Sequence, residues 1–235
     1  NILGDEGYTH FLVAYNIYSV FLTVATAGLP VALSRMISEA NTMNRPNQVK
    51  RIFSVAWLTF CVLGVVCTLI MFLFPTELAD ALNDVEASQS ILALSPAVLL
   101  VCLTSAYRGY CQGHENMKPT TVGQVLEVLV KVVIGLVLAW YLKDLGKSLP
   151  LVSAGAIFGV TAGSLAALVY MFAYKRRNYA ALPGGGDEPE SRGQILSTLL
   201  KVGIPITLGS SVLSLINLVD SGLCMGRLQD AAGVS

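Results

Sequence analysis

The sequence predicts an all-α integral membrane protein, a polytopic helical bundle. Two compositional facts support this: 54% of the 235 residues are hydrophobic and only 13% are charged, with a mean hydropathy of +0.65. Soluble domains carry roughly 25% charged residues. The third observation is arrangement: the charges are gathered between apolar runs long enough to cross a bilayer, which takes about 20 residues.

Taken in order, the uncharged runs are Phe11 to Ser34, Ile52 to Phe74, Ser88 to Tyr107, Ser148 to Tyr174 and Val202 to Val219. Pro119 to Leu142 adds a sixth if Glu127 and Lys131 are tolerated within it. The predicted spans are therefore residues 11–37, 52–74, 88–110, 119–142 and 148–174, with one more within 195–235. Several uncharged runs of this length have no place in a soluble core.

Lys and Arg near span ends set orientation. Arg35, Arg45, Lys50 and Arg51 flank the first loop, Arg108 and Lys118 the third, and Lys175, Arg176, Arg177, Arg192 and Lys201 the fifth. The second loop, "TELADALNDVEAS", has four acids and no base, and the fourth, "KDLGKS", has Lys143 and Lys147. Segments 38–51, 111–118 and 175–201 are thus expected on the cytoplasmic side. The segment "NYAALPGGGDEPESRGQ", residues 178–194, breaks the apolar pattern with glycines, prolines and charge, and reads as a cytoplasmic linker. Residues 1–177 would form one transmembrane lobe, and 195–235 the first helix of a second. The start at Asn1 and the stop after an apolar segment read as a fragment, with one span expected upstream.

Net charge is zero, so nothing argues for a nucleic-acid partner. The cysteines at 61, 67, 102, 111 and 224 show no CxxC pairing or metal-ligand spacing, and read as small apolar packing residues. No Ser/His/Asp arrangement, nucleotide-cradling glycine motif or HExxH is present, so hydrolytic, kinase and zinc-protease chemistry has no residues to rest on. His10 and His114 read as loop residues rather than proton shuttles.

The informative residues are polar ones inside apolar runs. In the run from Pro119 to Leu142, Thr120, Gln124, Glu127 and Lys131 fall on one helical face. At 1.5 Å per residue, Lys131 lies roughly 18 Å into a hydrocarbon core about 30 Å thick. Each such charge costs about 2.5–3.5 kcal/mol at the centre on insertion scales. The i,i+4 order lets Glu127 and Lys131 neutralise each other, on a face turned from lipid. Either that pair pins helix packing, or Lys131 lines a cavity for an anionic ligand. Asn16, Ser19, Thr23, Thr26 and Pro30 share a face of the first run; Thr207, Ser210, Ser214, Asn217 and Ser221 share one of the last, beside Asp220. The hydroxyls and glycines alone would serve close helix contacts. Pro30 and Pro205 sit inside helical patterns, where each removes a backbone hydrogen bond.

Three stretches, "LGDEGYTHFLVAYNIYSVFLTVATAGLPVALSRMISE", "YRGYCQGHENMKPTTVGQVLEVLVKVVIGLVLAW" and "GIPITLGSSVLSLINLVDSGLCMGRLQ", resemble the polysaccharide-transporter branch of the MOP flippase superfamily. The likeness is to the stage V sporulation protein B group and the related MurJ-like lipid II flippases. It implies two lobes around a cavity exposed alternately to each side, through which the headgroup of an undecaprenyl-linked sugar crosses while its tail stays among membrane lipids. It implies the bacterial plasma membrane, no enzymatic activity and no cofactor, with a proton or sodium as the candidate coupling ion. The positions carried by the matching motifs are Arg35, Arg108, Glu127, Lys131, Asn217 and Asp220. Asn16 and Gln124 join them from their helical faces. Two other functions compete: a drug or cation antiporter of the related efflux group, which favours an acidic, aromatic cavity, and a non-transporting scaffold for envelope enzymes, which needs no cavity.

Overall fold

The structure is a computed structural model, and it describes residues 15, 18–19, 22–23, 26–80, 88–146, 149–179, 186–209 and 212. Among these it is helical, with α1 at Leu29–Thr42, α2 at Pro46–Leu73, the short α3 at Pro75–Asp80, α4 at Ser88–Gly113, α5 at Lys118–Asp144 and α6 at Leu149–Asn178. A further helix, α7, runs over residues 192–209. Four described helices, α2, α4, α5 and α6, are long and apolar enough to span a membrane.

The first predicted span is broken. The described residues Tyr15, Tyr18, Ser19, Leu22, Thr23 and Thr26 are helical and give way to a bend at Ala27 and Gly28, and α1 follows with Pro30 in its first turn. Proline is tolerated there because the first-turn amides have no intrahelical acceptor to lose. In α7 the helix continues through Pro205.

A proline in mid-helix leaves carbonyls without donors, which hydrocarbon does not forgive. Pro96 sits inside α4. The Ser95 hydroxyl donates to Leu92 O at 2.9 Å, Thr161 of α6 to Ala93 O at 2.8 Å, and Thr68 of α2 to Ser95 O at 3.0 Å. The kink region of α4 is thereby tied to both neighbours.

Packing is centred on α4, which lies against α1, α2 and α6, while α5 rests mainly on α6 and hardly touches α4. Leu33 and Ile37 of α1, Phe60 of α2, Tyr110 of α4, and Ile157 and Met171 of α6 belong to one buried cluster. Ile195 and Leu199 of α7 join it, so the start of α7 packs with the preceding helices. No α5 residue belongs to the cluster. Only 11% of the apolar window of α5 is buried against 61% for α4, so most of the α5 surface is exposed.

What holds α5 is a seam of small residues. Gly155, Gly159 and Gly163 repeat every four residues on α6, so they share a face. A Cβ on Gly159 would come within 2.5 Å of Lys131 O and 2.6 Å of Gly135 N, and one on Gly163 within 2.5 Å of Glu127 O. The backbones touch where side chains would stand, as in membrane helices packed through small residues. A second pair, Gly109 and Gly113 of α4, lets α1 approach through Pro30, Ser34 and Ile37.

The segments joining these helices meet at one end of the bundle. Asn41 Nδ2 donates to Gly113 O at 3.2 Å, and Asn116 Nδ2 to the hydroxyl of Tyr174 at 3.0 Å. Residues 187–190 dock on the start of α2. The Asp187 carboxylate accepts from the backbone amides of Asn47 at 3.2 Å and Gln48 at 2.9 Å. It thus caps a helix that has no side-chain cap of its own. Arg45 donates to Glu188 O, Arg51 to Pro189 O, and Glu190 N to Gln48 Oε1. Partial burial pushes the Asp187 carboxyl up, but the Gln48 and Asn47 amides and the Arg45 charge outweigh it, holding the group below its ordinary value.

Two expectations follow. Gly159→Ala, in full-length protein in detergent, should lower stability by about 1–3 kcal/mol, because the colliding atoms are backbone and cannot step aside; an unchanged melting midpoint would show the seam to be looser than it looks. Because the folded carboxyl of Asp187 titrates below its unfolded value, its contribution is present at neutral pH and is lost as pH falls through the folded value. Protection of the Gln48 amide against hydrogen exchange, corrected for intrinsic rate, should therefore hold down to the ordinary carboxylate range near about pH 4 and drop below it, and Asp187→Ala should show the reduced protection already at pH 7.

Candidate functional site

Because α4 and α5 hardly touch, a cavity of about 530 Å³ opens between them, closed on one side by the stretch from Tyr15 to Val31. Its polar lining is Tyr15, Tyr18, Thr26, Ser105, Arg108, Gln112, Thr120, Gln124, Glu127 and Lys131, completed by apolar groups such as Val101 and Val160. The glycine seam explains the aim of α5: with its Glu127 and Lys131 backbone pressed on α6, the polar face turns into the gap.

One ion pair spans the gap. Arg108 Nη2 donates to Glu127 Oε2 at 2.6 Å, with the side chains 16% and 22% exposed. The expected neutralisation of Glu127 by Lys131 is therefore corrected: the carboxylate is taken by the arginine across the cavity. A planar guanidinium reaching over from α4 meets the carboxylate head-on with charge-assisted geometry, whereas Lys131, one turn further along α5, projects beside it. The Lys131 ammonium instead lies over the ring of Tyr15, 5.1 Å from its centroid, a cation–π contact.

Donors remain. Arg108 Nε, Ser105 Oγ and Thr120 Oγ1 are buried without hydrogen-bond partners and belong to lining residues. Polar groups stripped of water and left unpaired are costly, which marks these atoms as candidates for contact with water or a ligand. Among the described lining residues there are two cations, Arg108 and Lys131, and one carboxylate, Glu127, which is already engaged.

Of the residues expected from sequence, the structure brings together Arg108, Gln124, Glu127 and Lys131. Arg35 is exposed on α1 and does not line this cavity, although Pro30, five residues earlier, does. Asn16, Asn217 and Asp220 lie outside the described residues. The hydroxyls of Thr23 and Thr26 donate to Ser19 O and Leu22 O at 2.8 Å, so these positions of the first stripe are satisfied by their own helix. The sequence reading passed over Tyr15, Tyr18, Ser105 and Gln112. Ser105 is detectable only as the position three residues before Arg108, on the same helical face. His114 lies in the turn after α4, as expected, but is held there: it packs edge-on against Tyr110 and tilted against Tyr179, and accepts at Nδ1 from Asn41 Nδ2 at 3.0 Å. Burial holds it below its ordinary pKa, so it is neutral at pH 7.

A multi-spanning helical bundle with a polar, cation-bearing cavity opening inside its spans has the architecture of a membrane transporter. The family model for polysaccharide biosynthesis protein matches residues 1–234, and the chain belongs to that family. It is 32% identical to stage V sporulation protein B of Bacillus subtilis over 171 residues, 72% of this chain and 33% of that protein. It is 27% identical over 191 residues to lipid II flippase MurJ of the same organism, 77% of this chain and 35% of that protein. Among solved structures, a MOP superfamily transporter from Pyrococcus furiosus superposes with a TM-score of 0.72 at 18% identity, covering 91% of this chain and 47% of that one. The fold is thus the MOP transporter fold, and the chain spans a third to a half of the length of these proteins.

Glu127→Gln should leave the Arg108 guanidinium without its counter-charge and cost about 2 kcal/mol. The exchanged pair, Arg108→Glu with Glu127→Arg, should recover most of that stability. A thermal-melt double-mutant cycle in detergent checks both; additive losses would show that the pair carries no coupling.

Proposed function

We propose that this chain is part of a flippase that moves a lipid-linked oligosaccharide or peptidoglycan precursor across the bacterial plasma membrane by alternating access. Residues 1–177 belong to one lobe, 178–194 to a cytoplasmic linker and 195–235 to the start of the second; segments 38–51, 111–118 and 175–201 face the cytoplasm. The observation that carries this reading is the cavity itself: Arg108 and Lys131 line an open space within the spans, and the one carboxylate among the described lining residues, Glu127, is engaged by Arg108.

An undecaprenyl-linked sugar pyrophosphate presents anionic oxygens and hydroxyls that must shed water to cross. Arg108 and Lys131 would offset the charge, and Gln112, Thr120 and Gln124 would exchange hydrogen bonds with the headgroup. The polyprenyl tail would remain outside, along the lipid-facing surface of α5. An organic cation would find no unengaged carboxylate among the described lining residues, which ranks the antiporter reading lower. The names of the matched relatives, a lipid II flippase among them, point the same way. No catalytic step is assigned to the chain; a proton or sodium ion would be the coupling partner.

The test is thiol accessibility in the full-length protein, on a Cys-free background, in sealed vesicles. Single cysteines at Gln124 and Lys131 should react with a membrane-impermeant reagent, and an undecaprenyl-pyrophosphate-linked sugar should block the reaction. Failure to label from either side in folded protein would reduce the polar face to helix packing and remove this reading.

A further inference from the structure

A second pocket lies on different helices. α2 and α6 each pack on α4 and make no substantial contact with one another, leaving a groove whose floor is Tyr107 and Tyr110 of α4. Its basic end widens into a pocket of about 420 Å³ lined by Lys50 and Phe53 of α2, Phe172, Lys175 and Arg176 of α6, and Tyr179. No residue of the Arg108 cavity lines it.

Among the described lining residues three are cations and none is a carboxylate. Lys175 is fixed by the rings, its ammonium 3.5 Å from the Phe53 centroid and 5.0 Å from that of Tyr110. Aromatic faces can hold a cation in place without cancelling its charge, as a carboxylate would. Lys50 and Arg176 are exposed at the rim, where long side chains can close on an anion. Lys175 and Arg176 stand at the end of the apolar run of α6, and tyrosines surround them, as at a membrane–water boundary. Below the pocket, Trp57 and Leu58 of α2 and Val169 and Phe172 of α6 are exposed and apolar. An occupant with a negative head and hydrocarbon chains matches both levels at once; a soluble phosphate matches only the upper one.

The geometry points to a binding site for an anionic phospholipid, with its headgroup phosphate held by Lys50, Lys175 and Arg176 and its acyl chains lying in the groove between α2 and α6. The ligand is a component of the membrane rather than the transported cargo, so the site stands whether or not the flippase reading does. Basic pockets between spans at the membrane surface are suited to such headgroups.

The experiment is a thermal melt of the full-length protein in mild detergent with palmitoyl-oleoyl phosphatidylglycerol, with phosphatidylcholine of the same chains, or with glycerol phosphate. Phosphatidylglycerol should raise the midpoint several degrees more than phosphatidylcholine. Lys50→Gln with Arg176→Gln should remove more than half of that difference, while Lys50→Arg with Arg176→Lys should keep it. Equal effects of the two lipids, an undiminished response in the glutamine variant, or full reproduction of the shift by glycerol phosphate would each overturn the assignment, the last in favour of a soluble phosphate. Should the double glutamine variant fail to fold, native mass spectrometry of Arg176→Gln decides: retained phosphatidylglycerol should fall relative to wild type, and unchanged retention overturns the site.

Discussion

The Arg108–Glu127 pair is the constraint around which this lobe is arranged. It sits within apolar helices, where either charge alone would cost about 2.5–3.5 kcal/mol on insertion scales, and it crosses the gap where α4 and α5 hardly touch. A buried pair of this kind seldom adds much over a well-packed apolar contact, but breaking it is expensive. Here an apolar contact is not an equivalent replacement, because it would bring α4 and α5 together and close the cavity. The pair holds two helices in register at a distance, and the distance is what the cavity consists of.

An opening of that kind must be supported from behind. In lipid there is no water to drive apolar helices together, so contact depends on how closely backbones approach and on polar groups that have nowhere else to go. The glycines of α6 provide the first for α5, and those of α4 provide it for α1. The hydroxyls of Ser95, Thr161 and Thr68 provide the second around Pro96. α4 is therefore fixed on both flanks and α5 is fixed on one, which leaves the Arg108 face of α4 and the Glu127 face of α5 free to look at each other across the gap.

The membrane class was legible because it depends on local composition: α2, α4, α5 and α6 each coincide with an apolar run. Glu127 and Lys131 were legible as residues, since charge inside such a run is conspicuous. Their partners were not. The i,i+4 rule describes one helix in isolation, and it proposed the nearest ammonium; the actual partner lies 19 positions upstream on another helix, a relation set by packing. Arg108 seemed to belong to a polar helix end, and only the seating of α1 and α6 against α4 shows that it faces inward. Tyr15 and Tyr18 read as ordinary apolar-run residues for the same reason. The glycines at 155, 159 and 163 went unremarked in the sequence, because their consequence, the aim of the α5 polar face, depends on which helix they meet.

The break in the first span connects these pieces. Gly28 has an ordinary right-handed backbone, φ −98° and ψ −44°, so it is not there for a conformation that only glycine adopts. It is there for room: a Cβ would collide with Gly203 O and with Thr207 of α7, while Gly203 in turn sits against Leu29. The residues on either side of the break, Thr26 and Pro30, line the cavity. The helix that follows the linker thus bears directly on the bend whose neighbours form the cavity wall, and the linker itself is clamped to the start of α2 through Asp187. A displacement of α7 would act on two contacts of different strength. The clamp consists of several polar bonds distributed over residues 187–190, whereas the Gly28 crossing is a single close backbone contact at the bend that precedes α1. Motion would therefore be taken up at the bend, beside the cavity, before it disturbed the packing of α2 and α4.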